Sequence, residues 1–235
     1  MAGKLYLVPT TIGSTSWNEV IPSGVVELTR GLKFFVVEEL RTARRYLSAL
    51  GIQTPIENLC FFTLNEHSSA ADLTDMLKPL LDGNDVGLMS ESGLPAIADP
   101  GSMLVSAAHH HGIRVVPLCG PSSIIMTMMA SGLNGQNFAF VGYLPVKSEE
   151  RKRRIRQLEQ RSRAENQTQL FIEAPYRNVA LFRDILQTCA DEARLTIAAG
   201  LTLEGEYIAT KKIREWKQLP IPDINKINTV FALLF

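Results

Sequence analysis

The chain is poor in the residues that announce most catalytic chemistries. Its 235 residues include three cysteines and four histidines. Cys60, Cys119 and Cys189 stand far apart and form no C-x-x-C pair, which argues against a zinc ribbon or a disulfide framework and for reduced thiols. His109, His110 and His111 are consecutive, so on a helix they point in different directions; they close a helical stretch ahead of Gly112, and His67 stands apart. No metal site is expected. Net charge is also missing: 24 Lys+Arg balance 24 Asp+Glu, which excludes a global field for nucleic acid or an acidic membrane but leaves room for a local basic patch. No run approaches the ~18 apolar residues of a membrane span, and "MAGKLYLVPTT" lacks the apolar segment of a secretory signal. A soluble cytoplasmic protein is expected. Neither G-x-G-x-x-G after a strand nor G-x-x-x-x-G-K-[ST] occurs, so a conventional dinucleotide or P-loop site is excluded.

Apolar residues are plentiful, at 46%. They fall into short β-rich runs that alternate with helical patterns: 5–8, 33–38, 85–90, 113–118, 138–143, 169–174, 195–200, 206–210 and 229–235. The early runs are apolar almost throughout, as strands covered on both faces are. Helices are expected from Arg41 to Leu50, closed by Gly51, and from a Ser68 or Ser69 cap to Leu81, with Gly83 beyond. This alternation predicts an α/β protein with mostly parallel pairing. A junction near Gly120 would give two α/β domains, 1–119 and 120–235.

Three loops rich in Gly, Pro and small polar residues follow strands. They are Pro9–Ser16, "SESGLPAIADPG" (Ser90–Gly101) and "CGPSS" (Cys119–Ser123). Open α/β sheets bind ligands outside the carboxyl ends of their strands. Any one of these loops could be an ordinary turn; three at one sheet edge favour a ligand cleft.

In order and spacing these motifs resemble the tetrapyrrole-methylase superfamily of S-adenosylmethionine (SAM) methyltransferases. The similarity is greatest to a branch that methylates a cytidine ribose 2′-hydroxyl in small-subunit ribosomal RNA. The matching stretches are "LYLVPTTIGS" (5–14), "EELRTARRYL" (38–47), "NEHS" (65–68), "SESGLPAIADPG", "LCGPSS" (118–123), "FVGYLP" (140–145) and "IEAPYR" (172–177). The resemblance implies two α/β domains with a cofactor cleft between them. It places SAM against Ile12 and Gly13, Ser90, Glu91, Ser92 and Gly93, with Pro95 and Ile97 close by. Gly120, Pro121, Ser122 and Ser123 would form the facing edge, and Glu173, Ala174, Gly200 and Leu201 the second domain's share. Asp99, in an Asp-Pro-Gly turn, is expected to tie down its own loop.

Methyl transfer to a hydroxyl needs alignment and a proton acceptor. The resemblance offers Glu39, Arg41, Glu66 and Glu173 as catalytic candidates. Spacing alone reads them as a helix-start acid with its neighbour, a residue ahead of a cap, and half of a Glu173–Arg177 pair. The segment Lys147–Arg163 reads as a basic helix, with Arg151, Lys152, Arg153, Arg154 and Arg156 as candidate phosphate contacts. The plainer reading is a solvated helix laced by Glu149–Arg153 and Glu150–Arg154 pairs. Several substrate-side positions depart from the branch: Glu39 and Leu40 replace Asp and Thr, Asn65 replaces a His, and Ala199, Gly200 and Leu203 replace charged residues. The expected function is therefore SAM-dependent ribose methylation of ribosomal RNA by a homodimer. The alternatives are a small-molecule methylase of tetrapyrrole type and a SAM-binding paralogue with altered or no catalysis.

Overall fold

A computed structural model describes residues 2–65, 67–99 and 101–235. The chain divides into two compact units, Met1–Ser122 and Ser123–Phe235.

The first unit is built on strands β1 (Lys4–Val8), β2 (Phe34–Val37), β3 (Cys60–Thr63), β4 (Val86–Met89) and β5 (Arg114–Pro117). They pair in the order β3-β2-β4-β1-β5, every pairing parallel. Parallel neighbours cannot be joined by tight turns, so the chain crosses back through helices. These are α1 (Trp17–Val20), α2 (Ser23–Arg30), α3 (Leu40–Leu50), α4 (Ala70–Leu81) and α5 (Ser102–His110). Adjacent strand residues point to opposite faces and build two separate cores. Leu5, Val36 and Leu88 pack against Met76, Leu80 and Leu104 of α4 and α5. Tyr6, Val8, Phe35 and Met89 pack on the other face against Ala43 and Leu47 of α3.

The helix ends are set locally. Glu39 caps α3, its carboxylate accepting from the Arg41 and Thr42 amides, and Gly51 closes it at φ +73. Ser69 and Asp72 form a reciprocal capping box on α4. The histidine run ends α5, with Gly112 at φ +66 beyond. Strand β3 was not among the expected strands. It is an edge strand of four residues, CFFT, with Cys60 and Thr63 exposed.

The second unit holds β6 (Phe138–Tyr143), β7 (Thr168–Ile172), β8 (Arg194–Ala199), β9 (Tyr207–Lys212) and β10 (Thr229–Leu234), in the order β6-β7-β10-β8-β9. Here the expected parallel pairing holds only for β6–β7. The other three pairings are antiparallel. The physical reason lies in the connections: a seven-residue link between β8 and β9 suits a hairpin, and β10, last in the chain, enters the middle of the sheet from the opposite direction. Helices α7 (Ser148–Glu165) and α8 (Asn178–Thr188) cover one face through Ile155, Leu158, Phe182 and Ile185. Helix α6 (Ser123–Ser131) covers the other through Met128, and the short α9 (Ile213–Trp216) buries Trp216 beside Phe182.

Candidate functional site

In the first unit the parallel sheet sends every strand's carboxyl end to one edge, and the three unusual loops meet there. Gly93 joins them. Its carbonyl accepts the Thr10 amide at 2.9 Å, and its φ of +80 is one that favours glycine. A Cβ at Gly93 would stand 3.1 Å from Ile12 Cγ2 and 3.4 Å from the Pro121 carbonyl oxygen. Gly120 is packed still more closely: a Cβ there would fall 2.1 Å from Pro9 Cβ. Thus Ile12, Gly93, Gly120 and Pro121 form one assembly within the first unit. Gly13 is exposed in the β1 loop. Ser90, Gly93 and Pro95 are buried, whereas Glu91, Ser92 and Ile97 face solvent. Ala96 and Ala98 both adopt left-handed backbone, at φ +66 and +62, which is unusual for residues bearing a Cβ. Ser122 ends the first unit and Ser123 opens α6 of the second.

Carboxylates gather at the same edge. Glu38 follows β2, and Glu91 and Asp99 lie in the loop after β4. Burial raises the Glu38 carboxyl above the ordinary carboxylate range, helped by the negative charges of Asp99 and Glu91, while the Glu91 amide donates to it and opposes the shift. Asp99 is raised by burial and by Glu91, against a hydrogen bond from Ser90. That bond ties Asp99 to the start of its own loop.

The catalytic candidates fare unequally. The Glu39 carboxylate accepts from the Arg41 amide at 3.0 Å, the Thr42 amide at 2.6 Å and Thr42 Oγ1 at 2.9 Å. Those bonds hold its carboxyl below the ordinary range, making it a helix cap and a poor base. Arg41 is exposed in the first turn of α3. Glu66 lies outside the described residues. Glu38, adjacent to Glu39 in the sequence, is the better proton acceptor, and only the fold's burial of one and capping by the other separates them.

Beside these loops a cavity of about 330 Å³ opens in the first unit. Thr10, Thr11 and Thr15 come from the β1 loop, Thr42, Arg45, Tyr46 and Ala49 from α3, and Met89, Ser90 and Glu91 from the end of β4. Tyr46 donates its hydroxyl to the Pro9 carbonyl at 3.0 Å, and burial raises its pKa, so the phenol stays protonated. Thr42, Arg45, Tyr46 and Ala49 recur at helical spacing on one face of α3, a signal present in the sequence but indistinguishable there from an ordinary half-buried helix face.

In the second unit, register sets Glu173 and Gly200 on one sheet edge, because Ile172 pairs with Val230 and Ala199 with Thr229. The Glu173 side chain is fully enclosed. Its Oε1 accepts from the Ala174 amide at 2.8 Å and from Arg177 at 2.9 and 2.5 Å. The pair is real but spans the end of β7 and a 3₁₀ turn (Pro175–Arg177), not the start of an α-helix. Arg177 is held more firmly charged by this carboxylate. Gly200 has φ +63, and its amide donates to the Asn228 carbonyl; Leu201 is buried.

The basic helix α7 needs correction. Arg151 is 4% exposed, and its guanidinium binds Asp184 at 2.5 and 2.8 Å and the Val146 carbonyl at 2.7 Å. It holds α7 to α8 and is not presented to a phosphate. Lys152 is half-buried within 3.8 Å of the same Asp184, and Arg154 reaches Gln157. Arg153 and Arg156 alone of the five are exposed. In place of the expected i,i+4 ion pairs, α7 has the i,i+3 pairs Lys152–Glu149 and Lys147–Glu150, while Arg154 reaches Gln157.

Among the described residues no group of His, Cys, Asp and Glu could hold a metal ion, and no helix is long and apolar enough to cross a membrane.

The sequence profile of the tetrapyrrole (corrin/porphyrin) methylases matches residues 28–217. A ribosomal RNA small subunit methyltransferase I from Vibrio cholerae is 32% identical over 90% of this chain and 69% of its own length. Its counterpart from Haemophilus influenzae is 31% identical over 100% of this chain and 78% of its own. Among solved structures, the methyltransferase CobJ superposes with a TM-score of 0.63 at 17% identity, over 99% of this chain and 94% of that one. A uroporphyrin-III C-methyltransferase from Thermus thermophilus in complex with S-adenosyl homocysteine superposes with a TM-score of 0.56 at 15% identity, over 99% and 97%. The two solved structures share the fold, and the profile match together with the sequence relatives decides membership: the chain belongs to the tetrapyrrole (corrin/porphyrin) methylase family and is a methyltransferase that depends on SAM.

Proposed function

We propose that this chain methylates a ribose 2′-hydroxyl in small-subunit ribosomal RNA. The observation that carries the reading is the sequence likeness, over 90% and 100% of the chain, to enzymes named for that ribosomal subunit. The donor chemistry at the first sheet edge fits the cofactor. Raised carboxyls at Glu38 and Asp99, with Glu91 beside them, form an anionic edge that a sulfonium cation relieves. On the first unit Ile12, Gly13, Ser90, Glu91, Ser92 and Gly93, with Pro95, Ile97, Gly120, Pro121 and Ser122, would hold it. When bound, SAM supplies an electrophilic methyl group on sulfur.

The chain's own residues align the acceptor and manage its proton. A ribose hydroxyl attacks only as its proton is drawn away, and Glu38 is the carboxylate suited to accept it. Its affinity for a proton is raised by burial and by like charge, whereas that of Glu39 is lowered by capping. Arg153 and Arg156 of α7 would steer the phosphate backbone. A cytoplasmic homodimer accompanies this reading, and sedimentation equilibrium tests the dimer.

The experiment is methyl transfer from tritiated SAM to small ribosomal subunits from a strain lacking the related enzyme. Label recovered in an alkali-resistant 2′-O-methyl dinucleotide supports the proposal. Label in a base, or none, overturns it. Calorimetric titration of SAM into Glu91→Lys, expected to lose binding, tests the cofactor edge separately.

A further inference from the structure

Apart from Ser90 and Glu91, already given to the cofactor, the lining of the cavity in the first unit has no role in the reaction as described so far, and it is specific enough to say what the cavity takes. At about 330 Å³ it lies at the low end of small-molecule sites, too small for a tetrapyrrole macrocycle and suited to a single nucleoside. Its walls combine the Tyr46 ring, Met89 and Ala49 with hydroxyls from Thr10, Thr11 and Thr42. A flat ring packs on the apolar part, and a hydroxyl both donates and accepts, as an uncharged base edge requires. Thr10 is 4% exposed, and its hydroxyl has no hydrogen-bond partner among the described residues. A buried hydroxyl left unpaired is unfavourable, and a partner from a ligand would relieve it.

A phosphate contact stands next to the base site. Arg41, Arg44 and Arg45 are all exposed on α3, and none makes a salt bridge among the described residues. Arg45 itself lines the cavity. Arg44 lies over the Phe61 ring, 5.4 Å from its centroid, beside the edge strand β3. An exposed guanidinium beside a nucleoside-sized cavity is the arrangement that holds a phosphate flanking a splayed-out base.

We infer that the cavity between the β1 loop and α3 is the subsite for the target nucleoside of the RNA, with Arg45 on an adjoining phosphate. The inference rests on the proposed function in one respect: Ser90 and Glu91 belong both to the cavity wall and to the proposed cofactor edge, which brings the nucleoside next to the methyl donor. Bases in a duplex are out of reach, so the target is an unpaired or flipped-out nucleotide.

Two variants test it. Ala49→Leu fills the cavity from an exposed helix position with a good helix former, and Arg45→Ala removes the phosphate contact without touching the core. Cytidine 5′-monophosphate is titrated calorimetrically in the presence of S-adenosylhomocysteine, and SAM is titrated alone. Methyl transfer to small subunits is followed in parallel. Expected are loss of nucleotide binding in Ala49→Leu, roughly tenfold weaker nucleotide binding and a higher KM for subunits in Arg45→Ala, and an unchanged Kd for SAM in both. If SAM binding weakens with nucleotide binding, the cavity takes the cofactor's adenosine and the inference fails. It fails equally if the wild type binds no nucleotide, or if Ala49→Leu binds it normally. Should the wild type methylate no RNA yet bind the nucleotide, with binding lost in Ala49→Leu, the nucleoside site stands and the ribosomal function falls.

Discussion

The two units use the same number of strands to different ends. In the first, all five strands are parallel, so every strand-to-helix loop on the carboxyl side falls at one edge, and Ile12, Glu38, Gly93 and Gly120 converge although they lie up to 108 positions apart in sequence (120 − 12). In the second, three of four pairings are antiparallel, and the corresponding edge mixes strand ends with strand starts: Glu173 and Gly200 beside Tyr207 and Asn228. Fewer loops are thereby available to a ligand, and the second unit's most elaborate polar group is buried for cohesion. Arg151 and Asp184 join two helices, whereas Glu38, Glu91 and Asp99 crowd like charges where a ligand can relieve them. Polar residues thus serve opposite purposes in the two units.

The largest effect that would break this contrast is expected at Asp184. Asp184→Ala leaves Arg151 buried and without its carboxylate, which should cost about 3–5 kcal/mol. Hydrogen exchange resolved by peptide should show the loss in α7 and α8 while the first unit keeps its protection. Equal loss in both units would mean that the ion pair supports the whole molecule.

Gly120→Ala should come next. Its Cβ overlaps Pro9, and overpacking of this kind costs roughly 1–3 kcal/mol. Because Pro9 opens the β1 loop, SAM binding is expected to weaken roughly tenfold. Gly205→Ala, where a Cβ meets nothing within 4 Å, serves as the control in the second unit. An unaffected Kd in Gly120→Ala would detach the β1 loop from cofactor binding.

A smaller effect follows pH. Glu38 and Asp99 hold protons more tightly folded than unfolded. Their contribution to stability is complete below the ordinary carboxylate range and is lost as pH rises through their raised values. Denaturant midpoints should therefore fall with rising pH across that window, and Glu38→Gln with Asp99→Asn should flatten the fall. A steeper fall in the double variant would give the shifts the wrong sign. Activity should rise over the same window in the wild type, as Glu38 becomes available as a base, and that rise should vanish in Glu38→Gln.

The smallest expected change is at the exposed arginines of α7. Arg153→Ala and Arg156→Ala should leave stability unchanged and weaken subunit binding uniformly, each reducing the salt slope by about 1. No change in salt dependence would leave α3, with Arg41, Arg44 and Arg45, as the basic face that meets RNA.

Much of this was legible in the order of the residues. Apolar runs marked nine of the ten strands among the described residues, most plainly those buried on both faces, which must be apolar throughout, while the edge strand β3 escaped. Helix ends at Ser69, Gly51 and Gly112 followed from capping chemistry, which acts within a few residues. The motif series carried the family. Roles within the site were less legible. Glu38 and Glu39 are adjacent and chemically alike, and nothing local distinguishes a buried acid that binds protons tightly from an exposed one that caps a helix. Arg151 looks like its neighbours in a basic run until Asp184, 33 positions away, takes it inside.

By itself the sequence determined most of the strands, the ends of α3, α4 and α5, the three glycine-rich loops and the family, because each depends on contacts a few residues long or on an ordered set of motifs. Only the tertiary structure decided which strands pair antiparallel, which carboxylate is raised, which arginine faces water and where a nucleoside-sized cavity opens. Those outcomes depend on burial and on charges brought together across the fold, and desolvation by distant neighbours leaves no mark in the local order of residues.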